Sequence, residues 1–217
     1  FAHSMSHNLI VLIIGILFFL YFVFYNKNYL KKNVYILFGV SLILILGLFI
    51  SKSHDDFPYY HLPYALHLVE HKLQIGMGYF NLGYRTTSSI FYLNSLFYLP
   101  LIKFYHFHAA AFMILVFANI IFIKKILNKK DLRSFDFIYI LNLFAFVFIN
   151  VVFYRLAEHG TDRSGQIIVF LVIISVIELL KNRDAMHESL QKILILIAIL
   201  VTLKSFFVLY VALVLYL

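Results

Sequence analysis

Long apolar runs alternate with short polar segments along the chain. A helix needs roughly 17–25 mostly apolar residues to cross the hydrocarbon core of a bilayer. On this basis six membrane spans are predicted, at residues 9–25, 34–50, 101–123, 137–154, 167–180 and 193–217. The pattern therefore predicts an all-α fold, a polytopic transmembrane helical bundle that forms a single domain over residues 1–217.

The positively charged residues concentrate in three of the segments that join these runs. Segments 26–33, 124–136 and 181–192 carry several lysines and arginines. Because cytoplasmic loops are enriched in such residues, we expect these three segments to face the cytoplasm. Segments 51–89 and 155–166 then face outward, and the N-terminus lies on the outer side as well.

The longest polar stretch belongs to an outer loop at residues 51–100. An amphipathic helix is predicted at residues 59–72 and a second at residues 90–99, which ends at Pro100. Their moderate hydrophobicity is typical of helices that lie in the membrane interface. Gly76, Gly78 and Gly83 predict turns between them. We expect this loop to carry the active site.

The composition excludes an ordinary soluble domain. Hydrophobic residues make up 63% of the chain and charged residues 13%, whereas soluble domains are about half apolar and about a quarter charged. The net charge of +8 follows the membrane topology, so no nucleic-acid partner is predicted. The chain has no cysteine, which excludes disulfide bonds and thiolate zinc sites.

Two adjacent carboxylates, Asp55 and Asp56, directly follow the second predicted span. Like charges at a membrane boundary are unfavourable unless they are used or compensated. Partial shielding from water raises the pKa of a carboxylate and suits it to proton abstraction, so both are candidate catalytic residues. The alternative is that they cap the following helix, and the two roles are compatible.

Candidate substrate-binding residues lie in both outer loops. Arg85 precedes four hydroxyl side chains at residues 86–89 and either binds a lipid phosphate or reaches the headgroups without specificity. In the second outer loop, Glu158, Asp162 and Arg163 lie near the start of the next helix. That arrangement suits an anion at the helix start, or it forms a self-neutralising polar turn.

The histidines raise the question of a metal site. His67 and His71 lie four residues apart, which is compatible with metal binding on one helical face. No His-Glu-x-x-His motif is present, and no metal or other cofactor is predicted from spacing. A divalent ion held by Asp55, Asp56 and His54 is kept as an alternative.

The order of these features resembles GT-C-type membrane glycosyltransferases. The resemblance rests on Asp55-Asp56 with Tyr59 shortly after, on the helical layout, and on three further stretches that resemble uncharacterised bacterial GT-C-like proteins. These stretches are Tyr60-His61-Leu62, Gly76-Met77-Gly78-Tyr79-Phe80-Asn81-Leu82-Gly83-Tyr84-Arg85 and Ser88-Ser89-Ile90-Phe91. The second carboxylate is Asp where the family's pair has Glu, and an additional helix precedes the one that leads into the loop.

The resemblance implies transfer of a sugar from a polyprenyl-phosphate carrier to a glycan, lipid or protein acceptor. It implies Asp55 as general base on the acceptor hydroxyl, inversion at the anomeric carbon, and Asp56 as a residue that orients Asp55 or an ion. Arg85 and Arg163 would stabilise the departing phosphate. Tyr59 or His61 would hydrogen-bond the sugar. The expected location is a bacterial inner membrane, with the site facing the periplasm or exterior.

Two other functions fit the same pattern less directly. An O-antigen-polymerase-like or ligase-like protein also combines many helices with outer loops that bear Arg and His. A transporter or flippase would place polar groups within its membrane spans, where this chain has mainly Asn119 and Lys204. Because the chain starts at Phe1 and stops within an apolar run, we expect either a fragment or a short extension before Met5.

Overall fold

The computed structural model describes residues 2–25, 27–49, 56–85, 88–128, 136–153, 161–182 and 186–216. Within these ranges the chain forms nine α-helices: α1 (Met5–Tyr25), α2 (Lys27–Leu44), α3 (Leu62–Glu70), α4 (Ser89–Leu96), α5 (Ala109–Leu127), α6 (Phe137–Val152), α7 (Thr161–Lys181), α8 (Met186–Leu203) and α9 (Ala212–Tyr216). The described ranges contain no strand beyond an isolated bridge between Leu99 and Lys103. The all-α prediction is confirmed for them.

Four of the described helices are long and apolar enough to cross a membrane. They are Met5–Tyr25, Phe104–Leu127, Asp162–Lys181 and Met186–Leu203. Three further apolar helices are shorter, namely Asn33–Phe49, Phe137–Val152 and Ser205–Leu215. These helices indicate an integral membrane protein, and each of the six predicted spans overlaps at least one of them.

The last predicted span differs from the structure. Instead of one helix over residues 193–217, α8 begins at Met186 and ends at Leu203. Lys204 then adopts an extended conformation (φ −158°, ψ 132°), and a 3-10 helix follows at Ser205–Val211. Lys204 therefore lies at a helix end and not in mid-span. A helix end is the favoured place for a charge, because burying an ammonium group in hydrocarbon is costly.

One end of the helical bundle is held by two ion pairs, and we call it the Glu178 end. Lys125, near the C-terminus of α5, lies 2.6 Å from the Glu178 carboxylate in the last turns of α7. Lys181 at the end of α7 pairs at 3.0 Å with Asp136, which also caps the start of α6. Segments 124–136 and 181–192, which were both predicted to face the cytoplasm, thus flank the same end.

The opposite end gathers the start of α7, the end of α8 and the start of α4. Asp162 in the first turn of α7 pairs with Lys204 after α8. Ser89, the first residue of α4, donates a hydrogen bond of 3.1 Å to Thr202 in α8. We call this the Tyr60 end, because Asp162 acts electrostatically on the Tyr60 phenol there.

The core between the two ends is apolar, with amides at a few positions. Phe91, Leu115, Phe122 and Leu200 are among the large side chains that are fully buried. Asn119 of α5 accepts a hydrogen bond of 2.6 Å from Asn150 of α6. Such a contact links two helices without exposing polar groups to lipid.

The first helix touches the remainder of the bundle mainly through one side chain. Asn8 is the only residue of α1 that is buried. Its amide nitrogen lies 2.8 Å from the carbonyl oxygen of Ser95 and 3.1 Å from that of Tyr98. Both acceptors belong to the predicted outer loop at residues 51–100, so the start of α1 lies against that segment.

Candidate active site

The segment that carries Tyr60 is helical from its first turn. A π-helical turn at Phe57–His61 leads directly into α3, and each begins with a proline, Pro58 and Pro63, in its first two positions. Proline is tolerated there because the first amides of a helix have no intrahelical acceptor. The segment corresponds to the amphipathic helix predicted at residues 59–72.

The ring of Tyr60 is held by a glycine from the following loop. A Cβ atom built on Gly83 would lie 2.4 Å from Tyr60 Cγ, so no larger residue fits without displacing the ring. Asn81 fixes this contact from both sides: its oxygen accepts from the Gly83 amide at 2.8 Å, and its nitrogen donates to the Tyr59 carbonyl at 3.3 Å. The predicted turn at Gly83 thus positions Tyr60.

The Tyr60 phenol interacts with carboxylates from both predicted outer loops, with Asp56 by a hydrogen bond and with Asp162 electrostatically. Its hydroxyl donates a long hydrogen bond of 3.4 Å to Asp56 Oδ2. Burial, the charges of Asp56 and Asp162, and this hydrogen bond together raise the pKa of Tyr60 to about 12. The phenol therefore stays protonated at physiological pH, and it acts as a hydrogen-bond donor and not as a base.

Asp162 acts on Tyr60 electrostatically and is itself paired with Lys204. They form a hydrogen-bonded ion pair in which the Asp162 side chain is 51% exposed and that of Lys204 30%. The Lys204 ammonium also lies 5.7 Å from the centre of the Phe206 ring. We call Asp56, Tyr60, Asp162 and Lys204 the Tyr60 cluster.

The Tyr60 cluster combines the groups required for acid–base catalysis and for stabilising a phosphate leaving group. Its carboxylates can accept a proton or a sugar hydroxyl, and its phenol can donate a hydrogen bond. Its ammonium can stabilise negative charge that develops on a leaving group. Because Asp162 and Lys204 remain partly exposed, a substrate can reach both without rearrangement of the core.

Arg85 interacts within its own loop, whereas Arg163 lies next to a member of the Tyr60 cluster. The Arg85 Nε donates to the Gly78 carbonyl at 3.2 Å, and Arg85 lines a small cavity of about 280 Å³ with Gly76 and Tyr79. No hydrogen bond or ion pair among the described residues joins it to the Tyr60 cluster. Arg163 is half-buried in the first turn of α7, directly after Asp162.

Tyr59 and His61 were both predicted to contact the sugar, and the structure separates them. The Tyr59 side chain is 66% exposed, whereas His61 is 5% exposed and packs against Phe91 at 5.2 Å between ring centres. A hydrogen bond from His61 to a sugar would require an accessible imidazole. The buried face instead contains His61, Ala65 and Leu68, which are spaced four and three residues apart and so share one side.

The helix-capping alternative for the acidic pair gains no support from the described carboxylate. Asp56 has helical backbone angles, and its side chain makes no capping hydrogen bond. His54, Asp55 and Glu158, also predicted as site residues, lie outside the described residues. Among those that are described, no group of three or more His, Cys, Asp or Glu side chains could hold a metal ion.

Sequence reasoning missed two members of the Tyr60 cluster as functional residues. Tyr60 follows Asp56 by four positions, a spacing that brings side chains together on a helix. Lys204 is a charge that interrupts an apolar run, and the sequence placed it within a span. Its pairing with Asp162, 42 positions earlier, leaves no local signal in the sequence.

The comparisons with known proteins do not assign the chain to a family. No protein-family model, no curated protein and no solved structure matched it.

Proposed function

We propose that the chain is a membrane glycosyltransferase of the GT-C type. It transfers a sugar from a polyprenyl-phosphate carrier to a cell-envelope acceptor, with inversion, at the Tyr60 end. The proposal rests chiefly on one observation: the Tyr60 phenol donates a hydrogen bond to Asp56 and is within electrostatic reach of Asp162, which is paired with the Lys204 ammonium. Inverting transfer from a phosphate-linked sugar uses a base at the acceptor oxygen and a cation at the departing phosphate, on opposite faces of the same sugar.

The proposed reaction is a direct displacement. A carboxylate of the Asp55–Asp56 pair takes the proton of the acceptor hydroxyl, and the acceptor oxygen forms a bond to the anomeric carbon. The bond from that carbon to the carrier's phosphate oxygen breaks, and its electron pair leaves with the phosphate. Because entry and departure lie on opposite faces of the sugar, the anomeric configuration inverts.

Within the acidic pair, we assign Asp55 as the base and Asp56 as the positioning residue. The Asp56 carboxylate already accepts a hydrogen bond from Tyr60, which restrains its orientation. Tyr60 in turn stays protonated, since its pKa lies at about 12. Asp55 keeps the role of general base that the family resemblance implies.

Lys204 takes the role that the sequence gave to Arg85. Its ammonium belongs to the Tyr60 cluster, whereas Arg85 binds the Gly78 carbonyl of its own loop. Negative charge grows on the phosphate as the glycosidic bond breaks, so a cation placed there lowers the barrier. Arg163, beside Asp162, is the second candidate for this role.

The test is transfer by the purified chain in liposomes that contain a panel of polyprenyl-phosphate sugars and envelope acceptors. Asp55→Asn should lower the transfer rate by about 10²–10⁴-fold, which is the usual contribution of general base catalysis. Asp136→Asn is the matched control, because Asp136 is a carboxylate at the Glu178 end and Asn retains its capping ability. That control should transfer at the wild-type rate.

Other outcomes of the same assay would replace the proposal. Normal transfer by Asp55→Asn would remove Asp55 as the base. Polymerisation of lipid-linked oligosaccharides, without transfer from any monosaccharide donor, would indicate a polymerase or ligase. Movement of lipid-linked sugars across the bilayer without covalent change would indicate a flippase.

A further inference from the structure

A second cavity, of about 450 Å³, lies between α2, α5 and α6 and shares no residue with the Tyr60 cluster. Its volume falls within the range of roughly 300–1,000 Å³ that is usual for small-molecule sites. Apolar side chains such as Ile43, Leu115 and Phe146 form most of its wall. Among the described residues that line it, none is charged, and the polar side chains are Asn119 and Asn150.

The hydrogen bonds of these two asparagines leave one acceptor open. Asn119 donates to the Leu115 carbonyl at 2.9 Å. Asn150 donates to Asn119 Oδ1 at 2.6 Å and to the Phe146 carbonyl at 2.7 Å. Both protons of the Asn150 amide are therefore used, whereas its Oδ1 accepts no hydrogen bond from any described residue.

The orientation of the Asn150 amide is fixed by its neighbours. A flipped side chain would bring Oδ1 against the Asn119 Oδ1 and the Phe146 carbonyl oxygen, and two acceptors repel each other. The open acceptor is thus a consequence of the two donated bonds. In apolar surroundings such an acceptor is costly, so the cavity favours an occupant that carries a donor.

The surroundings also limit the charge of that occupant. An ionised headgroup in this cavity would have no counter-charge and would lose its hydration. The occupant must therefore carry a hydrogen-bond donor and no charge. An uncharged molecule with an apolar chain and one hydroxyl meets both conditions, because its chain can pack against the apolar wall and its O–H can donate to Asn150 Oδ1.

A neighbouring groove provides a contrast within the same protein. It measures about 620 Å³, lies between α1, α4 and α5, and is also apolar apart from one asparagine, Asn8. The Asn8 nitrogen donates to the carbonyls of Ser95 and Tyr98, and its Oδ1 lies 3.3 Å from His7 Nδ1. Because the Asn8 acceptor already has a donor, this groove has no comparable preference for a hydroxyl.

We propose that the cavity between α2, α5 and α6 is a binding site for a membrane lipid alcohol, an uncharged long-chain molecule whose free hydroxyl donates to Asn150 Oδ1. This site is separate from the Tyr60 cluster and does not depend on glycosyl transfer.

The experiment uses the whole chain in lipid nanodiscs and a dodecanol analogue with a photoreactive diazirine on its chain. Labelled peptides are mapped by mass spectrometry, with unlabelled dodecanol or dodecyl methyl ether as competitor. The ether keeps the chain and removes the donor. We expect labelling of peptides from α2, α5 and α6 that dodecanol displaces several-fold better than the ether, as one hydrogen bond provides.

The paired variant Asn119→Leu/Asn150→Leu removes the amide couple as a unit, so that neither partner is left unpaired. In this variant dodecanol and the ether should compete equally. Labelling of α1 or α4 in the neighbouring groove should show no preference for dodecanol in either protein.

Two results would overturn the proposal. One is equal competition by dodecanol and the ether in the wild type, a comparison that needs no variant and stands even if the paired variant fails to fold. The other is a preference for dodecanol that survives in the folded paired variant.

Discussion

Asp162 and Lys204 form an ion pair that joins the start of α7 to the end of α8. The two residues come from segments that the sequence placed in different environments, one in an outer loop and one within a membrane span. Their pairing brings the end of α8 to the start of α7, where Asp162 acts electrostatically on Tyr60. The proposed catalytic role of the Tyr60 end depends on this relationship.

The first prediction concerns the function of this ion pair. Lys204→Gln should lower transfer strongly, because the phosphate would lose its cation, and Lys204→Arg should restore much of the rate. Stability should change little, since partly exposed ion pairs contribute only about 0–1 kcal/mol. Transfer assays and chemical unfolding of the same preparations measure the two effects. A large loss of stability with unchanged transfer would assign the pair a structural role.

The second prediction concerns the contact between Gly83 and Tyr60. Gly83→Ala should displace the Tyr60 ring, because the new methyl group would lie 2.4 Å from Tyr60 Cγ. Overpacking of this kind costs about 1–3 kcal/mol, and transfer should fall as well. Gly39→Ala is the control, since a Cβ on Gly39 meets nothing within 4 Å. Equal unfolding free energies for the two variants would contradict the close contact.

The third prediction follows from the raised pKa of Tyr60. An unfolded tyrosine titrates near pH 10, whereas Tyr60 in the folded protein titrates at about 12. The folded state therefore keeps the proton longer, so the stability from this group is complete below pH 10 and declines between about pH 10 and 12. Tyr60→Phe should lose less stability than the wild type over that interval.

This difference can be followed directly by tyrosinate absorbance. The wild-type spectrum minus that of folded Tyr60→Phe should show a titration near pH 12, and after denaturation the same difference should titrate near pH 10. A folded-state difference that titrates near pH 10 would mean that Tyr60 is neither shielded from water nor close to Asp56 and Asp162.

The fourth prediction concerns the attachment of α1. Asn8→Leu removes the amide that lies against the Ser95 and Tyr98 carbonyls. Leaving buried acceptors without a donor costs about 1–3 kcal/mol, and protease sensitivity of α1 should rise. Leu17→Ala alters an exposed residue of the same helix and serves as control. If Asn8→Leu were no more sensitive than this control, α1 would be held by other contacts.

The fifth prediction tests which end of the bundle faces outward. The chain has no native cysteine, so single cysteines report on one site each. Ile75 is a fully exposed loop residue next to the predicted outer helices, and Asn182 follows α7 at the Glu178 end. Each is replaced by cysteine in a separate variant. An impermeant thiol reagent should label Ile75→Cys in intact cells and Asn182→Cys only after permeabilisation. The reverse pattern would place the Tyr60 cluster in the cytoplasm.

The sequence by itself determined the class of the protein and the rough position of most helices. Apolar runs dictate helices in lipid, because only a helix satisfies every backbone hydrogen bond within one segment. Glycines and prolines marked the turns of residues 51–100, and this signal is also local in the sequence. Asp56 stood out because it belongs to an adjacent acidic pair after a predicted span, and Asp162 because it lies near the start of a helix.

The tertiary structure alone decided which of these residues meet. The pairing of Asp162 with Lys204, the open acceptor of Asn150 and the burial of His61 all depend on contacts between helices that are distant in sequence. Local periodicity carries no information on such contacts, since it fixes the faces of a helix but not the neighbour against which each face packs. The end of α8 at Leu203 is an example. Composition predicted one long span over residues 193–217, but the helix ends before Lys204, whose charge lies at the end of the bundle.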